Sequence, residues 1–220
     1  MRDRDLLRKK MGVYLVIGTQ DCGFSLDRTV EIVREALSGG VGTLQLRDKG
    51  SKLNAKERFE LGRQLQALCR KHDTLFFVND DVELAVRLQA DGVHVGQDDM
   101  QLREVREMVG PKMYIGVSTG TADEALLAQK DRVDCIGVGA MFATSSKADA
   151  GEPIGPEGLA AIRAAVGREL PIVGIGGITL DNAKAVIEAG ADGVAIISAI
   201  SRAVSPKEAA EALQRIVRSV

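Results

Sequence analysis

One alternation limits this chain more than any other feature. A short apolar, often β-branched run is followed by a helical pattern eight times over, with no linker-like break between units. The strand signals run from Gly12 to Ile17, Val41 to Arg47, Leu75 to Val78, Gly92 to Val95, Met113 to Val117, Val133 to Val138, Ile172 to Ile175 and Gly193 to Ile197. Helical patterns lie between and after them, at about Asp27–Leu37, Asn54–His72, Val82–Gln89, Leu102–Val109 and Ala122–Lys130, then from about Pro156, Asp181 and Pro206. Buried parallel strands read as near-continuous apolar runs, and their alternation with helices marks βαβ units. A phrase recurs at the helix-to-strand corners: Ala90-Asp91-Gly92-Val93, Val133-Asp134-Cys135-Ile136 and Ala191-Asp192-Gly193-Val194. Eight such units predict an α/β fold, a single TIM (β/α)8 barrel domain over residues 1–220, with residues 1–11 as an N-terminal extension. An open doubly wound sheet fits less well, since no Gly-x-Gly-x-x-Gly follows the first strand.

A barrel places its chemistry at the carboxyl ends of its strands. In Thr43-Leu44-Gln45-Leu46-Arg47-Asp48-Lys49, period-2 alternation turns the leucines toward the helices and Gln45, Arg47 and Lys49 toward the mouth. An amide, a guanidinium and an ammonium on one face form an oxyanion clamp. The next two strand ends read Asn79-Asp80-Asp81 and Gly96-Gln97-Asp98-Asp99. Asp81 and Asp98 suit helix capping, whereas Asp80 and Asp99 on neighbouring strands suit a shared hard cation such as Mg²⁺. Ser118 ends the fifth strand, either as a donor into the mouth or as a helix cap, and His94 points into the barrel as an interior histidine.

The other half of the mouth has different chemistry. After strand six, the loop Met141 to Gly151 carries Thr144, Ser145, Ser146 and Lys147, a set able to wrap a phosphate monoester. After strand seven, Gly176 and Gly177 leave backbone N–H groups open to close approach by an anion, and Ser198 follows strand eight. The loops after strands seven and eight often form a phosphate cradle in such barrels. The mouth is therefore expected to hold two anionic groups, one of them with a metal.

Composition removes several alternatives. A formal net charge of −2 and 3% aromatic residues leave neither a basic surface nor stacking platforms for nucleic acid. No apolar run approaches the ~18 residues of a membrane span. The charged stretch from Met1 to Lys10 shows no secretory signal. Cys22, Cys69 and Cys135 are odd in number and widely spaced, which suits reduced thiols in the cytoplasm, and two histidines are too few for a zinc site. Nothing in the chain sets its oligomeric state, and a homo-oligomer stays open.

Six segments together carry a family resemblance: Gln45-Leu-Arg-Asp-Lys49, Asn79-Asp80, Asp91 to Asp99, Ile115-Gly-Val-Ser118, Thr144-Ser-Ser-Lys147 and Ile175-Gly-Gly-Ile178. In order and spacing they resemble thiamine-phosphate synthase. The resemblance implies a barrel that joins a hydroxymethylpyrimidine diphosphate to a thiazole phosphate, releases diphosphate and needs Mg²⁺. It implies diphosphate contacts at Gln45, Arg47, Lys49 and Asn79, with Ser118 and Lys147 as further contacts to the pyrimidine substrate. Arg47, Lys49, Ser118 and Lys147 are the expected catalytic groups. It implies Mg²⁺ at Asp80 and Asp99, and a thiazole-phosphate site at Thr144, Ser146, Gly177, Ile197 and Ser198. One departure is visible: Ser146 stands where the family commonly has threonine, which keeps the hydroxyl and loses a stiffening methyl. A thiazole tautomerase-like isomerase needs a positioned acid or base that only His94 offers, and a non-enzymatic phosphate-sensing barrel is the reading from another class.

Overall fold

The computed structural model describes residues 3–97, 99–144, 146 and 151–220. Its strands are β1 Val13–Ile17, β2 Thr43–Leu46, β3 Leu75–Asn79, β4 Gly92–Val95, β5 Tyr114–Thr119, β6 Cys135–Val138, β7 Ile172–Ile175 and β8 Gly193–Ile196. They pair in chain order, all parallel, and β8 returns to β1 to close the barrel. The helices are α1 Arg4–Lys10, α2 Leu26–Ser38, α3 Ala55–Lys71, α4 Val82–Leu88, α5 Leu102–Val109, α6 Ala122–Lys130, α7 Gly155–Val166, α8 Ala183–Glu188, α9 Ser198–Ser201 and α10 Pro206–Arg218. Every expected strand and helix is present, with ends shifted by a residue or two in most cases. Three short elements were not anticipated: α1, α9 and a 3₁₀ turn over Thr19–Cys22. The turn and α9 are single turns, too short for helical periodicity to register, and α1 carries only two apolar residues among charges.

Period-2 alternation sorts the strand residues into two layers. Outward side chains such as Leu15, Leu44, Phe76 and Ile136 pack beneath the helices. Inward ones, including Tyr14, Val16, Phe77, Tyr114, Cys135 and Val173, fill the barrel, and Leu7 and Met11 close it from below. The three aromatic rings are the largest part of this filling. Phe77 meets Tyr14 edge-on at 5.9 Å and stacks on Tyr114 at 6.3 Å between centroids. Gly92 makes the space, since a Cβ there would collide with the Phe77 ring.

The recurring aspartate phrase is a two-way clamp between neighbouring strands. The N–H of Asp91 donates to the Phe76 carbonyl (2.9 Å), and Asp91 Oδ2 accepts from the Phe76 N–H (2.8 Å). Asp134 does the same with Ile115, and Asp192 with Ile172, each bond 2.8 Å. Two of the clamps are backed by an arginine from the preceding helix pair. Arg106 reaches Asp134 at 3.0 Å and also bonds the Gly110 and Met113 carbonyls, while Arg163 reaches Asp192 at 2.6 Å and bonds the Gly167 and Leu170 carbonyls. The side chain of Asp134 is only 2% exposed, so its removal strands a buried N–H and a partly buried guanidinium. Asp134→Ala is expected to destabilise the fold by about 3 kcal/mol. Urea unfolding should show this as a lower midpoint, with the strand-end chemistry of the folded fraction unchanged.

Candidate active site

Around the mouth, side chains from β2 to β5 line a cavity of about 430 Å³ that includes Arg47, Lys49, Asn79, Asp80, Asp99 and Ser118. The strand β2 delivers its cations as alternation predicts. The Arg47 N–H donates to the Ile17 carbonyl (2.9 Å), one step beyond the last strand residue, and Gln20 Nε2 donates to the Arg47 carbonyl (2.6 Å). Arg47 as a whole is 8% exposed and lines the cavity wall. Gln45 lies one layer deeper, 3% exposed, where its Nε2 donates to the Tyr14 hydroxyl at 2.9 Å. Burial pushes the Tyr14 phenol well up, so it stays protonated beneath the site.

Beyond β3 the chain turns sharply. Asp80 takes a left-handed backbone (φ 58°), which aspartate adopts more readily than most residues, and its N–H donates to the His94 carbonyl at 2.8 Å. Its carboxylate meets Lys49 Nζ at 2.7 Å. Burial pushes the Asp80 acid up; Lys49 pulls it back, and the Asp99 carboxyl, within hydrogen-bonding reach, pushes it up again. Asp99 is held by its own turn, where Oδ2 accepts from the Gly96 N–H at 2.6 Å. The two acids that the sequence paired thus lie together, and the Lys49 ammonium joins them. Among the described residues no cluster of three or more His, Cys, Asp or Glu side chains forms. Asp81 caps α4 through the Leu84 N–H (2.9 Å), also as expected, and Asp98 lies outside the described residues.

His94 points inward into room left by Gly116 and Gly137, and its Nε2 lies 3.0 Å from Ser118 Oγ. Ser118 therefore faces the cavity and does not cap α6, a role that falls to Thr121 through the Glu124 N–H.

Across the mouth, a second and much smaller space of about 20 Å³ is lined by Thr144, Ser146, Ile175, Gly176, Gly177, Ile178, Ala195, Ile197 and Ser198. All five residues expected to hold a thiazole phosphate meet there. Lys147, placed beside them by sequence, lies outside the described residues, as does Ser145. The two glycines have positive φ, 104° and 63°, and a Cβ on Gly177 would lie 2.6 Å from the Ala143 carbonyl. Only bare backbone can pack so closely on the β6 loop. The Ile175 and Gly176 carbonyls accept from Met141 and Phe142 N–H groups (2.9 and 3.0 Å), and the Gly177 carbonyl accepts from Asn182 Nδ2 (3.0 Å). The two cavities share Thr144, Ile175 and Gly176.

Sequence reasoning missed several residues. Tyr14 beneath Gln45 was discoverable, because it occupies an inward position of β1 by the same alternation that placed Gln45. Gln97, Thr119 and Glu124 also line the large cavity. Gln97 Nε2 donates to the Ser118 carbonyl (2.6 Å), and Glu124 accepts the Gly120 N–H (2.7 Å). Gln97 lies in the loop after β4, Thr119 ends β5 and Glu124 sits in the first turn of α6, and no local pattern marked any of them as facing the mouth.

The chain is similar to known proteins. The thiamine monophosphate synthase family matches residues 13–200. A thiamine-phosphate synthase of Geobacillus kaustophilus is 49% identical over 214 residues, covering 97% of this chain and 95% of that protein. One of Moorella thermoacetica is 50% identical over 205 residues, covering 93% of this chain and 95% of the relative. Among solved structures, a thiamine phosphate pyrophosphorylase of Pyrococcus furiosus superposes with a TM-score of 0.85 at 39% identity, covering 97% and 98% of the two chains. With the family match, the relatives and the superposed barrel in agreement along nearly the whole length, the chain belongs to the thiamine monophosphate synthase family.

Proposed function

We propose that the protein is a thiamine-phosphate synthase, a transferase (EC 2.5.1.3). It joins 4-amino-2-methyl-5-hydroxymethylpyrimidine diphosphate to thiazole phosphate and yields thiamine monophosphate and diphosphate. One observation carries this reading: a large cavity with cations and carboxylates adjoins a small one of hydroxyls and glycine backbone, across a shared wall. A diphosphate gripped on the first side and a phosphate on the second bring their organic parts together between them.

The reaction breaks the bond from the pyrimidine methylene to the diphosphate oxygen, and the electron pair leaves with diphosphate. The aminopyrimidine ring shares the resulting positive charge until the lone pair of the thiazole nitrogen forms the new C–N bond. No proton has to move, so positioning and charge stabilisation carry the catalysis. Arg47 and Lys49 neutralise the departing diphosphate, with Gln45, Asn79, Ser118 and Lys147 as further contacts to the pyrimidine substrate. Thr144, Ser146, Gly177, Ile197 and Ser198 hold the thiazole phosphate, where the loops after β7 and β8 and the start of the short α9 come together.

The carboxyl pair suits a divalent cation. Asp80 and Asp99 crowd one another at the wall of the large cavity, where Lys49 offsets part of the repulsion on Asp80. Mg²⁺ commonly takes one or two carboxylates together with substrate phosphate oxygens. Held by Asp80 and Asp99, it would supply positive charge to the diphosphate. The three cysteines are free and buried, in keeping with a cytoplasmic enzyme.

Mixing both phosphorylated substrates with Mg²⁺ should release diphosphate, and a folded protein that releases none would overturn the reading. Arg47→Ala is expected to lose about 3 kcal/mol of transition-state stabilisation, a hundredfold or more in kcat/KM. Asp80→Ala and Asp99→Ala should lose turnover that raised Mg²⁺ restores only in part.

The same pair predicts a stability effect. A carboxyl whose pKa is raised by folding makes the native state hold its proton to higher pH, so stability falls as pH rises through its titration. Asp99→Asn removes the like charge and keeps an acceptor for the Gly96 N–H. In chelator-treated protein at pH 7 it should therefore unfold at higher urea than the wild type. That difference should shrink as pH is lowered and Asp80 protonates. Equal midpoints at pH 7 would show that the two carboxyls do not repel.

A further inference from the structure

Asp48 lies between the two cations of the β2 end but faces the other way. Its carboxylate is 1% exposed. Oδ1 accepts from both the Thr19 hydroxyl (2.6 Å) and the Thr19 N–H (3.0 Å), which ties β2 to the 3₁₀ turn after β1. Oδ2 is buried without a hydrogen-bond partner among the described residues and faces Arg58 Nε at 3.8 Å, an atom likewise buried and without a hydrogen-bond partner among them. From the other side of its guanidinium, Arg58 Nη1 stands 3.7 Å from Asp81 Oδ2, and Asp81 follows Asp80 and caps α4. These groups surround a separate cavity of about 170 Å³, whose walls include Lys49, Asn79 and Asp80. Its size and polar walls suit water bridging both gaps.

A buried carboxylate and the buried Nε of a guanidinium are retained only where they are paired or bridged. Here the pair spans the two loops that carry Arg47 and Lys49 on one side and Asp80 on the other. We propose that Asp48 and Arg58 are positioning residues that fix the diphosphate-gripping end of β2 against the carboxylate turn after β3. The inference rests on the synthase reading. It assigns Arg58 of α3 no contact with substrate; Arg58 acts through Asp48 and Asp81 on the spacing of the groups that do.

Arg58 tests this best, because its side chain is about a third exposed and its replacement leaves the core intact. Binding of inorganic diphosphate with Mg²⁺, measured by calorimetry, supplies a readout that does not need turnover. Arg58→Met is expected to weaken that binding, and to raise KM for the pyrimidine diphosphate, by roughly tenfold, the usual cost of losing a supporting group behind a charged site. KM for thiazole phosphate should stay unchanged, and Arg58→Lys should recover part of the loss. Asp48→Asn and Thr19→Val should shift the same two quantities. If Asp48→Asn does not fold, the Arg58 pair still decides the matter. Wild-type diphosphate affinity in Arg58→Met overturns the proposal, and so does an equal KM rise for both substrates that tracks a lower Tm. Wild-type protein without turnover overturns the synthase reading itself, whereas normal wild-type turnover beside an unaffected Arg58→Met overturns this inference alone.

Discussion

Everything at the mouth depends on the ladder that joins β8 to β1. Val13 pairs with Val194, Tyr14 with Ala195 and Leu15 with Ile196, and the seam requires the backbone at Gly193 to pass almost against Met11 and Gly12. No side chain fits at Gly193, so the glycine that opens β8 is a condition of closure. Closure turns eight strand ends into a ring. Only then does Ser198, after the last strand, come beside Gly177 and face the cations of β2 across one opening.

The ring separates its charges. On the β2 to β4 side, Arg47, Lys49, Asp80 and Asp99 share one wall of the large cavity. On the β6 to β8 side, hydroxyls and bare backbone surround a much smaller space. This division suits a substitution in which one anion leaves and another only anchors its carrier. It also stores repulsion: the Asp80 acid is held up by burial and by Asp99, against the pull of Lys49. Sites that await a charged ligand commonly give up some stability in this way. The groups behind the wall share the same economy of placement. Thr19, Asp48 and Arg58 sit on three different segments and meet behind the two cations at the end of β2.

Much of this was legible in the residues. The eightfold alternation led to the barrel because a parallel strand covered on both faces must be apolar throughout, and that pattern survives in any context. Period-2 alternation placed Arg47, Ser118 and His94 because a strand end leaves little freedom of direction. Other features carried no local signal. The aspartate corners read as turns, yet each carboxylate clamps the N–H of a strand residue 15 to 20 positions earlier in the chain. Gly176 and Gly177 read as room for an anion, and they also give room to the β6 loop packed against them.

The sequence alone determined which groups stand at which strand end, since periodicity and order are written along the chain. What it left open were the relations between ends: the meeting of Asp80 with both Lys49 and Asp99, the depth of Gln45 against Tyr14, the common wall of two cavities, and the Asp48–Arg58 pair. Those contacts join residues from different βα units. Their distances follow from strand register and barrel closure, which are properties of the packed ring and of no single segment.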